Sequence, residues 1–138
     1  MKKSRRKNFT LIEVVIVIVI LVTLASIATP LYLNHVSKSN IAAAKSQIKN
    51  FEGAIQQYKL DNGKYPEELK DLIENPGLDS WKKPYLSVKE IPKDPWGNEY
   101  QYNAPAQEAE GRDFEVFSYG ADGGPGGEDE DADIYNWQ

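Results

Sequence analysis

The sequence contains no cysteine and a single histidine, His35, among its 138 residues. No disulfide framework can therefore form, and zinc–cysteine sites and thiol chemistry are excluded. One histidine argues against histidine-based catalysis and against multi-histidine metal sites. If the folded part of the chain lies outside the cytoplasm, a device other than a disulfide must hold its loops in place.

Acidic residues are absent from the start of the chain, and the rest of the chain has few basic residues for its number of acids. Residues 1–8 carry five of the 16 basic residues and no acid. The remaining 130 residues carry 11 basic and 21 acidic residues, a net charge of −10. A basic cluster ahead of an apolar stretch keeps the N-terminus in the cytoplasm and sends the rest across the membrane. The acidic remainder argues against a nucleic-acid partner, because phosphate binding needs a basic face.

The longest apolar stretch is the 21 residues from Phe9 to Thr29. As a helix it is about 31 Å long, close to the thickness of the hydrocarbon core of a bilayer. Glu13 is the one acid inside it. An unpaired carboxylate in hydrocarbon costs about 2.5 to 3.5 kcal/mol on insertion scales, so Glu13 needs a partner.

Three interpretations of this segment compete. A secretory signal peptide cut near Ser26-Ile27-Ala28 or a plain signal anchor leaves Glu13 unexplained. A leader cut on the cytoplasmic side, between Asn8 and Phe9, gives Phe9 a free ammonium. In a staggered assembly of parallel helices, Glu13 of one subunit then pairs with the Phe9 ammonium of its neighbour.

The stretch Lys7 to Glu13, KNFTLIE, resembles the class III leader site of type IV pilins and type II secretion pseudopilins. This resemblance implies cleavage after Asn8 by a prepilin peptidase and methylation of the new N-terminus at Phe9. It also gives Glu13 a role in assembly. Pro30 lies where the family usually carries a proline, whereas Asn8 stands where the family usually has glycine.

Beyond Pro30 the apolar residues recur at intervals of three and four, which predicts an amphipathic helix. We expect one helix from Phe9 to about Asp61, kinked or loosened at Pro30 and ended by Asn62-Gly63. Its apolar stripe should be the face that a globular head packs against. The stripe consists of Ile41, Ala44, Ile48, Phe51, Ile55 and Tyr58.

The rest of the chain predicts a small α+β head. Residues 66–73 have the pattern of a short helix, and the alternating stretches 99–103 and 113–119 predict antiparallel strands joined by a polar loop. Residues 76–98 form a proline-rich connector. Its apolar anchors are Trp81, Tyr85, Leu86 and Ile91.

Six acids and no base lie between Asp122 and Asp133. A disordered acidic tail is one interpretation. The glycines among them and the apolar residues Ile134 and Trp137 beyond them favour a tight loop pinned to the core. Carboxylates and carbonyls on such a loop suit a hard cation such as Ca²⁺. Chemistry alone leaves the two interpretations open.

Three motifs resemble the major pseudopilins of type II secretion, and the resemblance runs from Lys7 to Trp137. They are DPWGN at 94–98, FSYGADG at 117–123 and DADIYNW at 131–137. The resemblance implies a pilin fold, a long helix packed on a small antiparallel sheet with a C-terminal calcium loop. It implies one Ca²⁺ held by Asp122, by Asp131 or Asp133, and by main-chain carbonyls such as that of Tyr119.

The resemblance also implies a domain plan and a function. Residues 1–8 are a cleaved leader, 9–33 a transmembrane and filament-core helix, and 34–138 a periplasmic head. The chain is then a structural subunit and not an enzyme, inserted once in the inner membrane. It assembles with further copies, minor pseudopilins and an inner-membrane assembly platform into a periplasmic filament. That filament drives export of folded proteins across the outer membrane.

Two alternatives remain at this stage. A type IV pilin subunit of a surface filament for adhesion, motility or DNA uptake shares the leader and the helix. The lack of cysteine and the acidic loop count against it. A secreted calcium-binding enzyme or binding module with an ordinary signal peptide is the second alternative. It is disfavoured because the sequence offers no nucleophile–base pair.

Overall fold

The computed structural model of the chain describes residues 8–138. The first seven residues of the predicted leader lie outside the described residues. The chain forms two compact units, one ending at Val36 and the other running from Ser37 to Gln138. Each is described by itself.

One long helix and one small sheet make up the regular structure. Helix α1 runs from Leu11 to Asn62, and the short 3₁₀ helices are Leu69–Leu72 and Asp129–Asp131. The strands are β1 (Gln101–Asn103), β2 (Glu115–Ser118) and β3 (Ile134–Tyr135). The predicted α+β architecture, a long N-terminal helix with a small antiparallel sheet, is confirmed.

In the first unit, every large apolar side chain from Phe9 to Leu33 is exposed. This part of α1 is long and apolar enough to cross a membrane. Its hydroxyls bond within the helix: the Thr23 hydroxyl donates to the carbonyl of Val19 at 2.5 Å, and that of Thr29 to the carbonyl of Ala25 at 2.8 Å. These hydroxyls therefore need no outside partner in an apolar medium. The helix is continuous through Pro30, and the expected kink stays a prediction.

In the second unit, the core forms on the predicted stripe of α1. Phe51 and Ile55 are fully buried, and the Phe51 ring meets the edge of Tyr100 at 5.1 Å. Ile41 is only partly buried, and Ala54 joins the buried set. The predicted anchors of the connector all pack against this core. The other buried members of the stripe are Ala44, Ile48 and Tyr58.

The sheet has the order β1–β2–β3 and is antiparallel throughout. Val116 on β2 and Ile134 on β3 belong to the hydrophobic core. Phe117 pairs with Tyr135 across the strands, and their rings lie 4.8 Å apart. Ile134 reaches the core as predicted. Trp137 does not, because it stacks on the Tyr135 ring at 4.3 Å instead.

The predicted helix over 66–73 is wrong in type and length, since only Leu69–Leu72 is helical and the turn is 3₁₀. The Asp71 carboxylate accepts the backbone N–H of Glu67 at 2.8 Å, so a side chain closes the first turn. The Leu72 carbonyl accepts the N–H groups of Tyr85 and Leu86. The connector therefore occupies the Leu72 carbonyl, which in a longer helix would accept a hydrogen bond from a later residue of that helix.

Candidate functional site

The start of α1 is held by a capping box between Thr10 and Glu13. The Thr10 backbone N–H donates to Glu13 Oε2 at 2.8 Å, and the Thr10 hydroxyl donates to the same oxygen at 3.1 Å. In return the Glu13 N–H donates to Thr10 Oγ1 at 3.3 Å. Two otherwise unpaired helix donors are thereby satisfied. The signal for this box, T-x-x-E ahead of an apolar run, is in the sequence, but the sequence analysis missed it.

The predicted cleavage point lies directly before this cap. Asn8 and Phe9 are exposed and precede the first helical residue, Leu11. The bond between them is therefore in an exposed, non-helical stretch. In the single chain Glu13 bonds to its own Thr10, and one of its two oxygens, Oε1, accepts no hydrogen bond from a described residue.

The acidic loop at the C-terminal end presents Asp122 and Asp133 in different environments. Asp122 is exposed, and its Oδ1 accepts the N–H of Gly124 at 3.0 Å. Asp133 Oδ2 accepts the N–H of Gly126 at 3.0 Å and the Tyr135 hydroxyl at 3.4 Å. Asp133 Oδ1 is buried and has no hydrogen-bond partner among the described residues.

Burial raises the pKa of the Tyr135 hydroxyl to about 12, and the Asp133 carboxylate beside it adds to the effect. Asp131, by contrast, is exposed in the 3₁₀ turn and accepts no side-chain hydrogen bond from a described residue. A buried carboxylate oxygen without a partner is costly unless a donor or a cation faces it. Of the two candidate aspartates, Asp133 is thus the one with a buried carboxylate oxygen that still needs a donor or a cation.

Backbone groups contribute the rest of the loop geometry. Tyr119 is half-buried, and its carbonyl accepts no hydrogen bond from a described residue. Gly120 follows with φ +75°, and a Cβ there would lie 2.5 Å from the Glu130 carbonyl oxygen. Within residues 8–138, no three carboxylate or imidazole side chains are grouped to hold a metal by themselves. A cation in this loop would therefore depend on carbonyl oxygens as well as on aspartates.

The turn at 94–98, in which Asp94 is buried, lies against this loop. Asp94 is 5% exposed; its Oδ1 accepts the N–H of Asn98 at 2.8 Å, and its Oδ2 accepts the Ser118 hydroxyl at 2.6 Å. Asn98 Nδ2 donates to the Gly120 carbonyl at 2.8 Å. From the sequence, 94–98 was expected only as the end of the connector and as a motif that resembles the family. Nothing local marks the contact of Asn98 with Gly120, 22 residues further on.

Residues 31–137 match the sequence profile of the family described as type II secretion system protein G. The chain belongs to the protein G family of the type II secretion system. A second profile, the prokaryotic N-terminal methylation motif, matches residues 3–29. The two matches together cover the leader site, the apolar helix and the head of this protein G family member.

Two curated relatives carry the name type II secretion system core protein G. The one from Pseudomonas aeruginosa is 41% identical over 145 residues, covering 99% of each chain. The one from Vibrio cholerae is 42% identical over 144 residues, covering 99% of this chain and 96% of the relative. The predicted relationship to the type II secretion pseudopilins is confirmed.

A solved structure agrees with the fold. The crystal structure of the major pseudopilin from the type 2 secretion system of enterohaemorrhagic Escherichia coli is similar with a TM-score of 0.57 and 31% identity. The match covers 76% of this chain and 92% of that chain. The long helix and small sheet of this protein G family member are therefore those of a pseudopilin.

Proposed function

We propose that this chain is a structural, non-catalytic subunit of the type II secretion pseudopilus, the periplasmic filament that drives export of folded proteins. Membership of the protein G family over residues 31–137 is the observation that carries the proposal. Before assembly, residues 9–33 cross the inner membrane once and the head lies in the periplasm. The exposed apolar side chains of that segment support this location, because they require lipid or neighbouring helices around them.

A prepilin peptidase removes the leader between Asn8 and Phe9, and the new amine is methylated. The methylation-motif match over residues 3–29 and the exposed, non-helical backbone at this bond support the step. N-terminal sequencing of the mature protein tests it. We expect a methylated Phe9, whereas a start near Thr29 would show an ordinary signal peptide and overturn the proposal.

Assembly uses the second oxygen of Glu13. Oε2 caps the subunit's own helix through Thr10, and Oε1 is left to accept the Phe9 ammonium of a neighbouring subunit. A carboxylate that finds this partner only in the correct axial register favours one stagger of the helices.

Pro30, further along the same helix, lacks an N–H and leaves the Ser26 carbonyl without its helical donor.

Glu13→Ala should enter the membrane normally and assemble poorly. Glu13→Gln separates the two roles, because glutamine keeps an oxygen for the Thr10 cap but has no charge for the ammonium. We expect both variants to lose most filament yield, measured as cross-linked multimers by immunoblot, with Glu110→Ala at an exposed position as control. Wild-type yield for Glu13→Gln would refute the charge pairing.

The filament proposal covers partners that the family implies. These are further copies of this chain, minor pseudopilins and the inner-membrane assembly platform of the secretion system. A surface pilin for adhesion, motility or DNA uptake is the alternative, and the match to protein G over residues 31–137 counts against it. Loss of secreted protein in a deletion strain, restored by this chain, is the result expected for a pseudopilin.

The head binds one Ca²⁺ in the acidic loop, through Asp122, Asp133 and the Tyr119 carbonyl. The buried, unpartnered Asp133 Oδ1 supports the choice of Asp133 over the exposed Asp131. Ca²⁺ accepts six to eight oxygen ligands, a mixture of carboxylates and carbonyls that this loop contains. When bound, the ion would neutralise part of the acidic cluster and hold the loop closed without a disulfide.

Thermal unfolding of the full-length protein in detergent, with calcium or with chelator, tests the metal. All three tryptophans, Trp81, Trp96 and Trp137, belong to the head, so their fluorescence reports its unfolding. Calcium at 100 times the dissociation constant should add about 2.7 kcal/mol of stability. We expect Asp122→Ala and Asp133→Ala to abolish the calcium shift and Asp131→Ala to keep it. Identical wild-type melting with calcium and with chelator would reject the metal.

A further inference from the structure

Gly120 is held at both of its backbone polar groups by residues outside the acidic loop. Its N–H donates to Ser118 Oγ at 3.1 Å, and its carbonyl accepts the Asn98 amide at 2.8 Å. The residue is buried, and its φ of +75° suits glycine alone. The chain therefore leaves β2 in one fixed direction at the point where the loop begins.

The Asn98 side chain also meets the other end of the same turn. A Cβ on Gly123 would lie 3.0 Å from Asn98 Oδ1 and 3.2 Å from its Cγ and Nδ2, so the amide plane packs directly over this glycine. Asp122 lies between Gly120 and Gly123. The Asn98 side chain thus contacts the chain on both sides of Asp122, at Gly120 and at Gly123.

Asn98 is itself rigidly placed. Its N–H donates to Asp94 Oδ1 at 2.8 Å, and its carbonyl accepts the Asp94 N–H at 2.9 Å. The other Asp94 oxygen accepts the Ser118 hydroxyl that in turn receives the Gly120 N–H. Asp94, Asn98 and Ser118 form one connected network. It is part-buried to buried throughout, so its hydrogen bonds are shielded from water.

We propose that Asn98 is a positioning residue for the calcium loop, which fixes the Gly120–Gly123 turn so that Asp122 and the Tyr119 carbonyl converge on one cation. The inference rests on the proposed calcium site. The role assigned to Asn98 depends on its amide nitrogen, which donates to the Gly120 carbonyl, and on the packing of its amide group over Gly123. Groups that orient metal ligands in this way typically change metal affinity by about 10- to 100-fold when removed.

The test compares calcium titrations of full-length wild type, Asn98→Ala and Asn98→Leu in detergent, followed by tryptophan fluorescence melting. Leucine keeps the bulk over Gly123 but removes the donor to Gly120. We expect both variants to need at least about tenfold more calcium than wild type for the same rise in melting temperature above the chelated protein. In chelator both variants should melt below chelated wild type, because the Gly120 carbonyl loses its donor, but by less than the difference measured in calcium.

Asn75→Ala is the matched control. Asn75 also holds a turn, through the N–H groups of Gly77 and Leu78, but in the connector and not at the acidic loop. It should leave the calcium titration unchanged. If Asn98→Ala and Asn98→Leu titrate like wild type, or lose equal stability with calcium and with chelator, the positioning role is overturned. If wild type itself shows no response to calcium, the proposed metal fails first, which is a distinguishable result.

Discussion

At the scale of single residues, Thr10 gives Glu13 a function inside its own subunit. A glutamate in an apolar helix is costly, and the sequence analysis sought its partner only in a neighbouring chain. The capping box supplies hydrogen bonds to Glu13 before any assembly. A subunit waiting in the membrane therefore has part of the desolvation cost of its carboxylate offset by Thr10.

Thr10→Ala should loosen the first turn of α1, because the cap hydroxyl is lost and Glu13 loses one of its donors. Removal of such a cap typically costs about 0.5–2 kcal/mol of helix stability. Hydrogen exchange of the detergent-solubilised protein should show faster exchange at residues 11–13. Thr10→Ser, which keeps the hydroxyl, is the control and should exchange like wild type. Equal protection in Thr10→Ala would contradict the cap.

The residues that the sequence alone could identify are those whose chemistry is unusual for their place. Glu13 stands out in an apolar run, and Asp122 and Asp133 stand out in a cluster of acids without a base. Asn98 does not stand out, because an asparagine after glycine in a turn is ordinary. Its contact with Gly120 depends on how the turn and β2 pack together. Only the folded structure brings these two positions into contact.

At the scale of elements, the C-terminal segment is fastened to both the sheet and α1 through Asn136. This residue is 2% exposed; its Oδ1 accepts the Val116 N–H at 3.2 Å, and its own N–H donates to the Val116 carbonyl at 3.1 Å. Its carbonyl accepts Lys49 Nζ of α1 at 2.8 Å. The acidic loop therefore ends in a fixed anchor.

Lys49→Met should destabilise the head by about 1 kcal/mol, since methionine keeps the length of the side chain but can neither donate to the Asn136 carbonyl nor pair with Glu52. The value is modest because the lysine side chain is 59% exposed and water competes for its bonds. Lys45→Met, an exposed position one turn earlier, should be neutral. Urea unfolding followed by tryptophan fluorescence measures both, and equal midpoints would show that the Lys49 bond contributes nothing.

How well each helix or strand could be predicted from the sequence depends on its length. The apolar stripe of α1 repeats over many turns, so its spacing identified the helix and the buried face correctly. Strand β3 has only two residues, Ile134 and Tyr135, too few for alternation to be recognised. It exists because Phe117 and Ser118 offer partners across the sheet. The 3₁₀ turn at Leu69–Leu72 was predicted too long because its acceptors are taken by the distant connector.

At the scale of the whole molecule, the apolar segment and the acidic head differ sharply in composition. Residues 9–33 expose large apolar side chains, and the head carries most of the acids. The head obtains stability from a core in which several tyrosines are buried next to carboxylates. Burial raises the pKa of Tyr100 to about 12, with a further contribution from Asp94, and burial also raises the pKa of Tyr102. The head should therefore be sensitive to high pH.

In the unfolded chain these tyrosines lose their protons near pH 10, whereas in the folded head Tyr100 and Tyr135 keep theirs to about pH 12. The unfolded state thus binds fewer protons between pH 10 and 12, so stability falls as pH rises through that window. We expect the melting temperature to drop by several degrees there. The drop should be smaller in Tyr100→Phe and unchanged in Tyr32→Phe, an exposed position on α1. Phenolate absorbance, recorded in the same samples, should rise with unfolding. A melting temperature that stays constant from pH 9 to 12 would show that the buried hydroxyls do not control alkaline stability.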